Sequence, residues 1–523
     1  MLDDATAQKL ARRFADLLAN DPEFATAMPD QKVAESILQQ DIGLAGVIRA
    51  VAEGYADRPA LGQRAAVVDM SDDGRRVLKF EARFETVTYG QLWRRASGLA
   101  AVLTEDGILA GERIATLGLA SVDYTAIDMA VALLGCVSVP LHTGAPASVL
   151  AAMVEEADPS VIACSAAYIA DGVRLALGAA GPVRLIVFDH RPNVDDDCEG
   201  LDMARGRIAS AHSALQLDIL DELLERGYAL PPIDLPPADD DQLAAIVYTS
   251  GSSGNPKGAM LTAGLVREAW SQGAAMLVQR NIAIPSIMLS YLPMSHTGGR
   301  SMLFATLGTG GTAYFTAGND NSTLLEDLSL ARPTQLNFVP RVWEMLYREF
   351  VAECTLRERG KTVLAQIDDD VLQDLRTRVL GGRYVTALTG SAPISAKLAS
   401  WVERLLDGPL MNALGATESG AVLIDGKVQC PPVTDFKLVD VPELGYFGTD
   451  RPYPRGELLI KSTTLFHGYY KRPELTAEVF DEAGFYRTGD IVAQMNSDEF
   501  RFVDRRNNVL KLSQGEFVTI SKL

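Results

Sequence analysis

Apolar residues at the start of the chain fall on one helical face. Leu10, Phe14, Leu17 and Leu18 share a stripe, with Arg12, Arg13 and Asp16 opposite it. The pattern predicts a helix over residues 5–20, a restart at Asp21-Pro22 and a second helix from Gln31 to Gln40. These helices read as an N-terminal cap whose stripe packs inward. From Pro59 the period shortens. Val67-Val68, Phe84–Val87, Arg113–Leu117, Val137–Leu141, Ser160–Ala163 and Val183–Phe188 read as strands. Helices are expected between them at Thr88–Leu103, with Thr88 as a hydroxyl cap, and at Asp123–Leu134. Strand and helix in alternation predict a doubly wound, largely parallel α/β sheet. Asp189–Gly200 is acidic and irregular and reads as a surface loop. A connector rich in proline and acid runs from Leu230 to Asp241.

The series then resumes. Leu243–Val247 is a short buried strand, and Ala263–Leu277 a helix. Ser290–Arg300 reads as a strand leaving through Pro293, His296, Gly298 and Gly299. Gln335–Pro340 precedes a helix from Arg341 to about Glu353. Tyr384–Thr389 exits into Gly390-Ser391-Ala392-Pro393, and Leu410–Leu414 into Gly415-Ala416-Thr417-Glu418. Carboxyl ends of this kind line the binding crevice of open α/β sheets. From Cys430 the texture changes to short strands and turns, as in a small β-unit or distorted barrel. The expected division is a helical extension (1–53), an α/β subdomain (54–238), a second α/β subdomain with a phosphate loop (239–430), a β-barrel subdomain (431–504), and a hinge opening a small C-terminal subdomain (505–523).

The densest chemistry lies in Tyr248-Thr249-Ser250-Gly251-Ser252-Ser253-Gly254-Asn255-Pro256-Lys257-Gly258. These eleven residues hold three glycines, four serine or threonine hydroxyls and one lysine. Successive N–H groups and small hydroxyls can surround phosphate oxygens, and Lys257 adds positive charge. The Gly-x-x-x-x-Gly-Lys-Ser/Thr phosphate loop is a different motif, because Gly258 follows Lys257. A generic Gly/Ser run is a surface loop; this composition points to triphosphate binding. His296 is structural if taken alone, and faces substrate if the glycine loop is its neighbour. Glu418 suits either a capping role or Mg²⁺, which prefers oxygen ligands. Asp490, in Tyr486-Arg487-Thr488-Gly489-Asp490, can cap its own turn or accept ribose hydroxyls.

Composition narrows the function classes. The 523 residues exceed one ordinary domain, and 47% hydrophobic content with 22% charged content describes a globular chain. A net charge of −20 argues against nucleic acid or an anionic membrane as partner. Five scattered cysteines without a Cys-x-x-Cys pair fit a reducing compartment and give no zinc signature. The acidic start is unlike a secretory signal, and no apolar run reaches membrane-spanning length. A cytoplasmic protein is expected.

Thr249–Gly258, Gly415–Glu418, Tyr486–Asp490 and Asp504–Lys511 occur in a fixed order. As a set they resemble the adenylate-forming superfamily of acyl-CoA synthetases, luciferases and nonribosomal-peptide adenylation domains, from about Gly54 onward. Within it, Arg12–Asp21, Leu292–Arg300, Phe338–Leu346, Pro431–Tyr446, Gly468–Glu474 and Leu510–Phe517 resemble the adenylation domain of carboxylic acid reductases. The resemblance implies a large N-terminal core of two doubly wound subdomains plus a small barrel. It implies attack of a carboxylate on the α-phosphorus of ATP, giving acyl-AMP and pyrophosphate. Thr249, Ser250, Gly251, Ser252, Ser253, Gly254 and Lys257 would hold the β- and γ-phosphates. Thr417 would touch the α-phosphate and Glu418 would ligate Mg²⁺. Asp490 and Arg505 would bind ribose. Ser391, Ala392 and Pro393 would border adenine, beside Leu414 and Gly415. His296, Gly298, Gly299, Leu388, Gly390 and Leu414 would line the acid pocket. Phosphopantetheine and NADPH would enter only through carrier and reductase domains of the same longer polypeptide, which would release an aldehyde.

This sequence departs from the family pattern at three positions. Leu414 stands where an aromatic residue usually stacks on adenine, Asn412 where an aspartate is common, and Asn507 at the hinge position. The family's adenylation lysine lies in the small C-terminal subdomain, so the stretch ending at Leu523 is expected to bind ATP and acid but to adenylate slowly or not at all. Two other readings are a fatty acyl- or aryl-CoA synthetase without its tail, and a nucleotide-binding protein that has lost catalysis. Aromatic or medium-chain acids suit the small, apolar walls.

Overall fold

The computed structural model describes residues 4–39, 41–181, 183–249, 256–318, 322–358, 364–506, 509–511 and 517–519. Two compact units divide the chain. The first holds residues 1–248, 260–336 and 362–386, and the second holds 249–259, 337–361 and 387–523.

In the first unit six parallel strands lie in the order Gln216–Ile219, Arg184–Phe188, Val161–Ser165, Arg113–Leu117, Val137–Pro140, Leu243–Thr249. Four of them are buried along their whole length or nearly so, as expected of a parallel sheet covered on both faces. The helices Tyr89–Glu105 and Val122–Leu133 supply much of the shared core. Thr88 caps the first of these in a reciprocal box with Gln91. A second sheet runs Ile287–Ser290, Thr312–Phe315, Pro59–Met70, Arg76–Thr88. Its last two strands form a long antiparallel hairpin where short strands were expected. One sequence expectation fails outright. Asp195–Ser210 is a helix, although Asp189–Gly200 reads as a loop. Its first turn is Asp195, Asp196 and Asp197, and acid there complements the helix dipole. Arg75 and Arg76 reach across from the hairpin to Asp195, Asp196 and Glu199.

The N-terminal helices, at Asp4–Asn20, Pro22–Thr26, Gln31–Ile37 and Leu44–Gly54, are built into this unit. Phe24 and Ile37 are fully buried. Arg13 donates to Gly382 O at 3.0 Å and stacks over the Tyr384 ring. The Arg383 side chain is wholly buried. Its guanidinium donates to Ala331 O and Arg332 O and pairs with Asp21 at 3.2 Å and with Glu23. Asp21 also caps the helix Pro22–Thr26 through Phe24 N–H. Burial alone would raise the Asp21 pKa, but the Phe24 N–H and the guanidinium groups of Arg383 and Arg332 outweigh it and hold it low.

In the second unit Thr386–Thr389 and Met411–Ala416 run parallel, with Leu388 opposite Met411 and Thr389 opposite Asn412. Met411–Ala416 then turns back antiparallel into Gly420–Ile424. A further antiparallel sheet has the order Val433–Val439, Arg455–Ser462, Tyr486–Gln494, Phe500–Arg505. That order is linear, so the small β-unit expected after residue 431 is an open sheet. Val509–Lys511 and Phe517–Thr519 pair as a short hairpin at the end of the chain. The hinge position, Asn507, lies outside the described residues.

Asp21 carries two loads, so Asp21→Ala removes a cap and one of the two carboxylates paired with a buried guanidinium. The expected loss is about 2 kcal/mol of stability, read as a lower urea midpoint at unchanged slope. A shift below about 1 kcal/mol would mean that the extension is not anchored here.

Candidate active site

The turn after Met411–Ala416 is fixed by its backbone. A Cβ on Gly415 would stand 2.2 Å from Gly420 O and 2.8 Å from Ala421 Cα, so only glycine fits. Ala416 pairs with Gly420, and Thr417, Glu418 and Ser419 form the crossing. Ser419 Oγ accepts from Ala416 N–H, Ser419 O accepts from Thr464, and Glu418 O accepts from Phe466 N–H at 2.9 Å. The Glu418 backbone is therefore held from two sides. Its half-buried carboxylate accepts from Tyr469 Oη at 2.9 Å and from Thr249 Oγ1 at 3.4 Å. Lys257 Nζ lies over the Tyr469 ring, 5.0 Å from its centre. Thr249, Lys257 and Glu418 thus gather around Tyr469. Residues Ser250, Gly251, Ser252, Ser253 and Gly254 lie outside the described residues.

Burial, and next the Glu418 carboxylate, push the Tyr469 pKa far above its ordinary value, so this hydroxyl stays a donor. Phe466 packs edge-on to both Tyr469 and Tyr486, at 4.9 and 5.8 Å between ring centres. The Tyr486 phenol, itself pushed up by burial, feels Glu418 and, more weakly, Arg505 and Asp490. This aromatic block joins the two acidic positions.

Asp490 is 4% exposed and sits opposite Arg505 across antiparallel strands. Its Oδ1 lies 3.4 Å from Arg505 Nε. Burial raises its pKa to about 6; Arg505 pulls it down and buried Glu457 pushes it up. A 3.4 Å contact to a half-exposed arginine does not repay that desolvation. Glu457 is neutralised by Arg506 at 2.7 Å and accepts from Gly489 N–H, which shapes the turn before Asp490.

Thr386–Thr389 leads into Gly390, where a Cβ would meet Ala413 O at 3.1 Å. Ser391, at φ +66°, Ala392 and Pro393 follow as exposed residues. Leu388, Gly390 and Leu414 are half-buried. This exit and the Gly415–Glu418 turn leave adjacent parallel strands on the same side.

His296, Gly298 and Gly299 belong to the first unit. His296 is the N-cap of the helix Thr297–Gly308, and its Nδ1 accepts from Gly298 N–H at 3.1 Å. The protein packed around it, then the charge of nearby His142, hold its pKa below the usual imidazole value. A Cβ on Gly299 would stand 2.8 Å from Pro293 O. One turn in, buried Arg300 grips Asp128 through 2.8 and 2.9 Å contacts, and Asp128 accepts from Ser138.

Sequence reasoning passed over Tyr469 and His142. Each acts on a partner far along the chain, 51 residues for Tyr469 with Glu418 and 153 for His142 with Ser295. Tyr469 stands within the family-like stretch Gly468–Glu474, which by itself gives it no role, and His142 stands in no motif.

The chain matches the family described as AMP-binding enzyme over residues 49–470. It is 52% identical to the carboxylic acid reductase of Mycobacterium tuberculosis over 99% of its length, and spans 44% of that relative. The adenylation domain of the Segniliparus rugosus carboxylic acid reductase, solved with AMP and a co-purified carboxylic acid, superposes with a TM-score of 0.92 at 48% identity. The match covers 98% of this chain and 82% of that one. The adenylation domain of the Mycobacterium chelonae carboxylate reductase superposes at 0.94, with 43% identity, covering 100% and 81%. The chain belongs to the AMP-binding enzyme family. Within that family it is an adenylation domain of the carboxylic acid reductase kind, with the adenylate-forming large core.

Tyr469→Phe keeps the ring and removes the donor to Glu418. The expected cost is about 2 kcal/mol, in the range for a hydrogen bond to a charged group. Chemical denaturation of Tyr469→Phe, Glu418→Gln and the double variant checks it. The two losses should fall well short of adding, and full additivity would show that they act separately.

Proposed function

We propose that this chain activates a carboxylic acid with ATP, forming acyl-AMP and releasing pyrophosphate. One observation carries the reading. A half-buried carboxylate held by Tyr469 and Thr249, and a buried one beside Arg505, both act on the Tyr486 phenol, which packs with Tyr469 against Phe466. The Segniliparus relative, which holds AMP and an acid, supports it. In this reading Asp490 and Arg505 take the ribose hydroxyls, while Ser391, Ala392, Pro393, Leu414 and Gly415 border adenine. Thr249 through Lys257 hold the outer phosphates and Thr417 the α-phosphate. His296, Gly298 and Gly299 take part in holding the acid.

Among the described residues no group of three or more His, Cys, Asp or Glu side chains could hold a metal by itself. Glu418 with the Thr249 hydroxyl offers two oxygens on one side. That fits Mg²⁺, which takes few protein ligands and completes its shell with water and phosphate. When bound, Mg²⁺ would neutralise charge on the phosphates. The protein's own share is positioning, with a lysine and backbone donors facing the phosphates and the acid held in line with phosphorus. No side chain need bond to the substrate.

The chain spans less than half of its curated reductase relatives. Transfer of the acyl group to a phosphopantetheine carrier and NADPH-dependent release of an aldehyde are proposed for the longer polypeptide. A didomain of the Segniliparus enzyme that pairs an adenylation domain with a carrier is the relevant relative. A cytoplasmic setting suits an ATP-consuming chain, and no helix among the described residues is long and apolar enough to cross a membrane.

Calorimetric titration of this chain with AMP, then with benzoate or octanoate at saturating AMP, tests the reading. Saturable AMP binding that Asp490→Ala weakens at least tenfold is expected, since a ribose site loses its acceptor. A wild-type chain that takes up no AMP would sink the proposal. The pH dependence adds a second check. The folded Asp490 pKa, about 6, lies above the unfolded value near 4, so its ionisation costs stability as pH rises from 4 to 6. Ribose hydroxyls favour the ionised form. AMP affinity should therefore fall about tenfold per pH unit below 6, and Asp490→Asn should flatten that slope.

A further inference from the structure

His142 follows the buried strand Val137–Pro140 by two residues, at the carboxyl edge of the parallel sheet. Its ring is engaged at both nitrogens. Nε2 lies 2.9 Å from Tyr248 O, and Nδ1 lies 3.0 Å from Ser295 Oγ. A carbonyl only accepts, so Nε2 carries a hydrogen. In the neutral ring Nδ1 then accepts, and the Ser295 hydroxyl donates to it. The bond on one nitrogen fixes the tautomer and so sets the direction of the other.

The chain of contacts has a fixed far end. Tyr248 is buried, and its Oη donates to Met153 O at 3.1 Å, on the helix Ala147–Ala157. Met153, Tyr248, His142 and Ser295 therefore form one hydrogen-bonded line from a helix behind the sheet to the turn Pro293–His296. Ser295 is 6% exposed, so little water competes for its hydroxyl. The next residue is His296, whose N–H donates to Pro293 O and whose carbonyl accepts from Arg300 N–H. Arg300 is itself clamped by Asp128. The His296 turn is thus held at two points, by Ser295 on one side and by Arg300 on the other. Arg300 fixes the helix axis. The His142 bond fixes the approach of the turn to the sheet.

We propose that His142 is a positioning residue for acid binding, locking the turn that carries His296 to the sheet edge through Ser295. Neither ring nitrogen is left to contact an acid, so His142 acts only through that turn. The proposal rests on the adenylation reading, in which His296 lines the acid pocket. Nucleotide affinity should not feel it, since Asp490 and Arg505 bond within their own unit. That asymmetry separates positioning from general damage.

The test is calorimetry on the whole chain, with AMP alone and then benzoate at saturating AMP. His142→Ala should weaken benzoate about tenfold, the loss of one well-placed hydrogen bond, and leave AMP within about twofold. His142→Gln offers an amide N–H to Tyr248 O and an oxygen to Ser295, and should return benzoate to within about threefold of wild type. Ser295→Ala should lose as much as His142→Ala, and the double variant should be no worse than either by more than about twofold. Unchanged benzoate affinity in His142→Ala, parallel loss of AMP, failure of the glutamine to rescue, or multiplied losses in the double variant would each overturn the inference. Should His142→Ala not fold, Ser295→Ala and His142→Gln decide by the same readout, the first losing benzoate and the second retaining it. A wild-type chain without AMP binding defeats the adenylation reading and this inference together. Wild-type binding of both ligands with an unaffected His142→Ala defeats this inference alone.

Discussion

The turn at Gly415–Gly420 has no space for a side chain, and the candidate site is arranged around that constraint. A carbonyl oxygen 2.2 Å from where a Cβ would stand forces glycine at position 415. With two backbones this close, the crossing residues Thr417 and Glu418 span a tight turn, and Glu418 O is held by Phe466 N–H. Thr464, Phe466 and Tyr469 then bond to the same turn from a segment some fifty residues later. The order of events in sequence is thus reversed in space. A flexible-looking Gly-Ala-Thr-Glu run becomes one of the better fixed points of its unit because later strands close over it.

Burying charge is the other recurring theme. The chain carries a net charge of −20, yet its deepest ionic groups are arginines matched to carboxylates. Arg383 with Asp21, Arg300 with Asp128, and Arg64 with Asp327 at 2.6 Å are all largely shielded from water. Such pairs contribute little net stability, because desolvation cancels most of the attraction. Their value lies in what a mismatch would cost. An arginine that loses its carboxylate in the interior has nowhere to go, so each pair ties distant segments into one arrangement: residue 21 to 383, 128 to 300, 64 to 327.

Features whose signal is local were legible in the sequence. The α/β alternation could be read because buried parallel strands are apolar over most of their length. Thr88 announced its cap because the partner is three residues away. Tyr469, His142 and Arg383 were silent for the opposite reason, since each partner is remote. Asp195–Ser210 misled in another way. Four acidic residues among its first five look like a solvated loop, whereas at a helix N-terminus they face the positive end of the dipole and two arginines from a neighbouring hairpin.

The two acidic positions of the second unit sit in different surroundings. Glu418 is half-buried, receives a phenol and a threonine hydroxyl, and has a lysine behind the phenol ring. Asp490 is buried, with buried Glu457 nearby and one long contact to Arg505, and its pKa is pushed up to about 6. A carboxylate in that setting gains from any neutral donor that replaces lost water, as a pair of sugar hydroxyls would. Under the proposed function these two settings go with two tasks, Glu418 toward a cation and Asp490 toward hydroxyls. The Tyr486 phenol feels both acids, and its ring packs edge-on against Phe466.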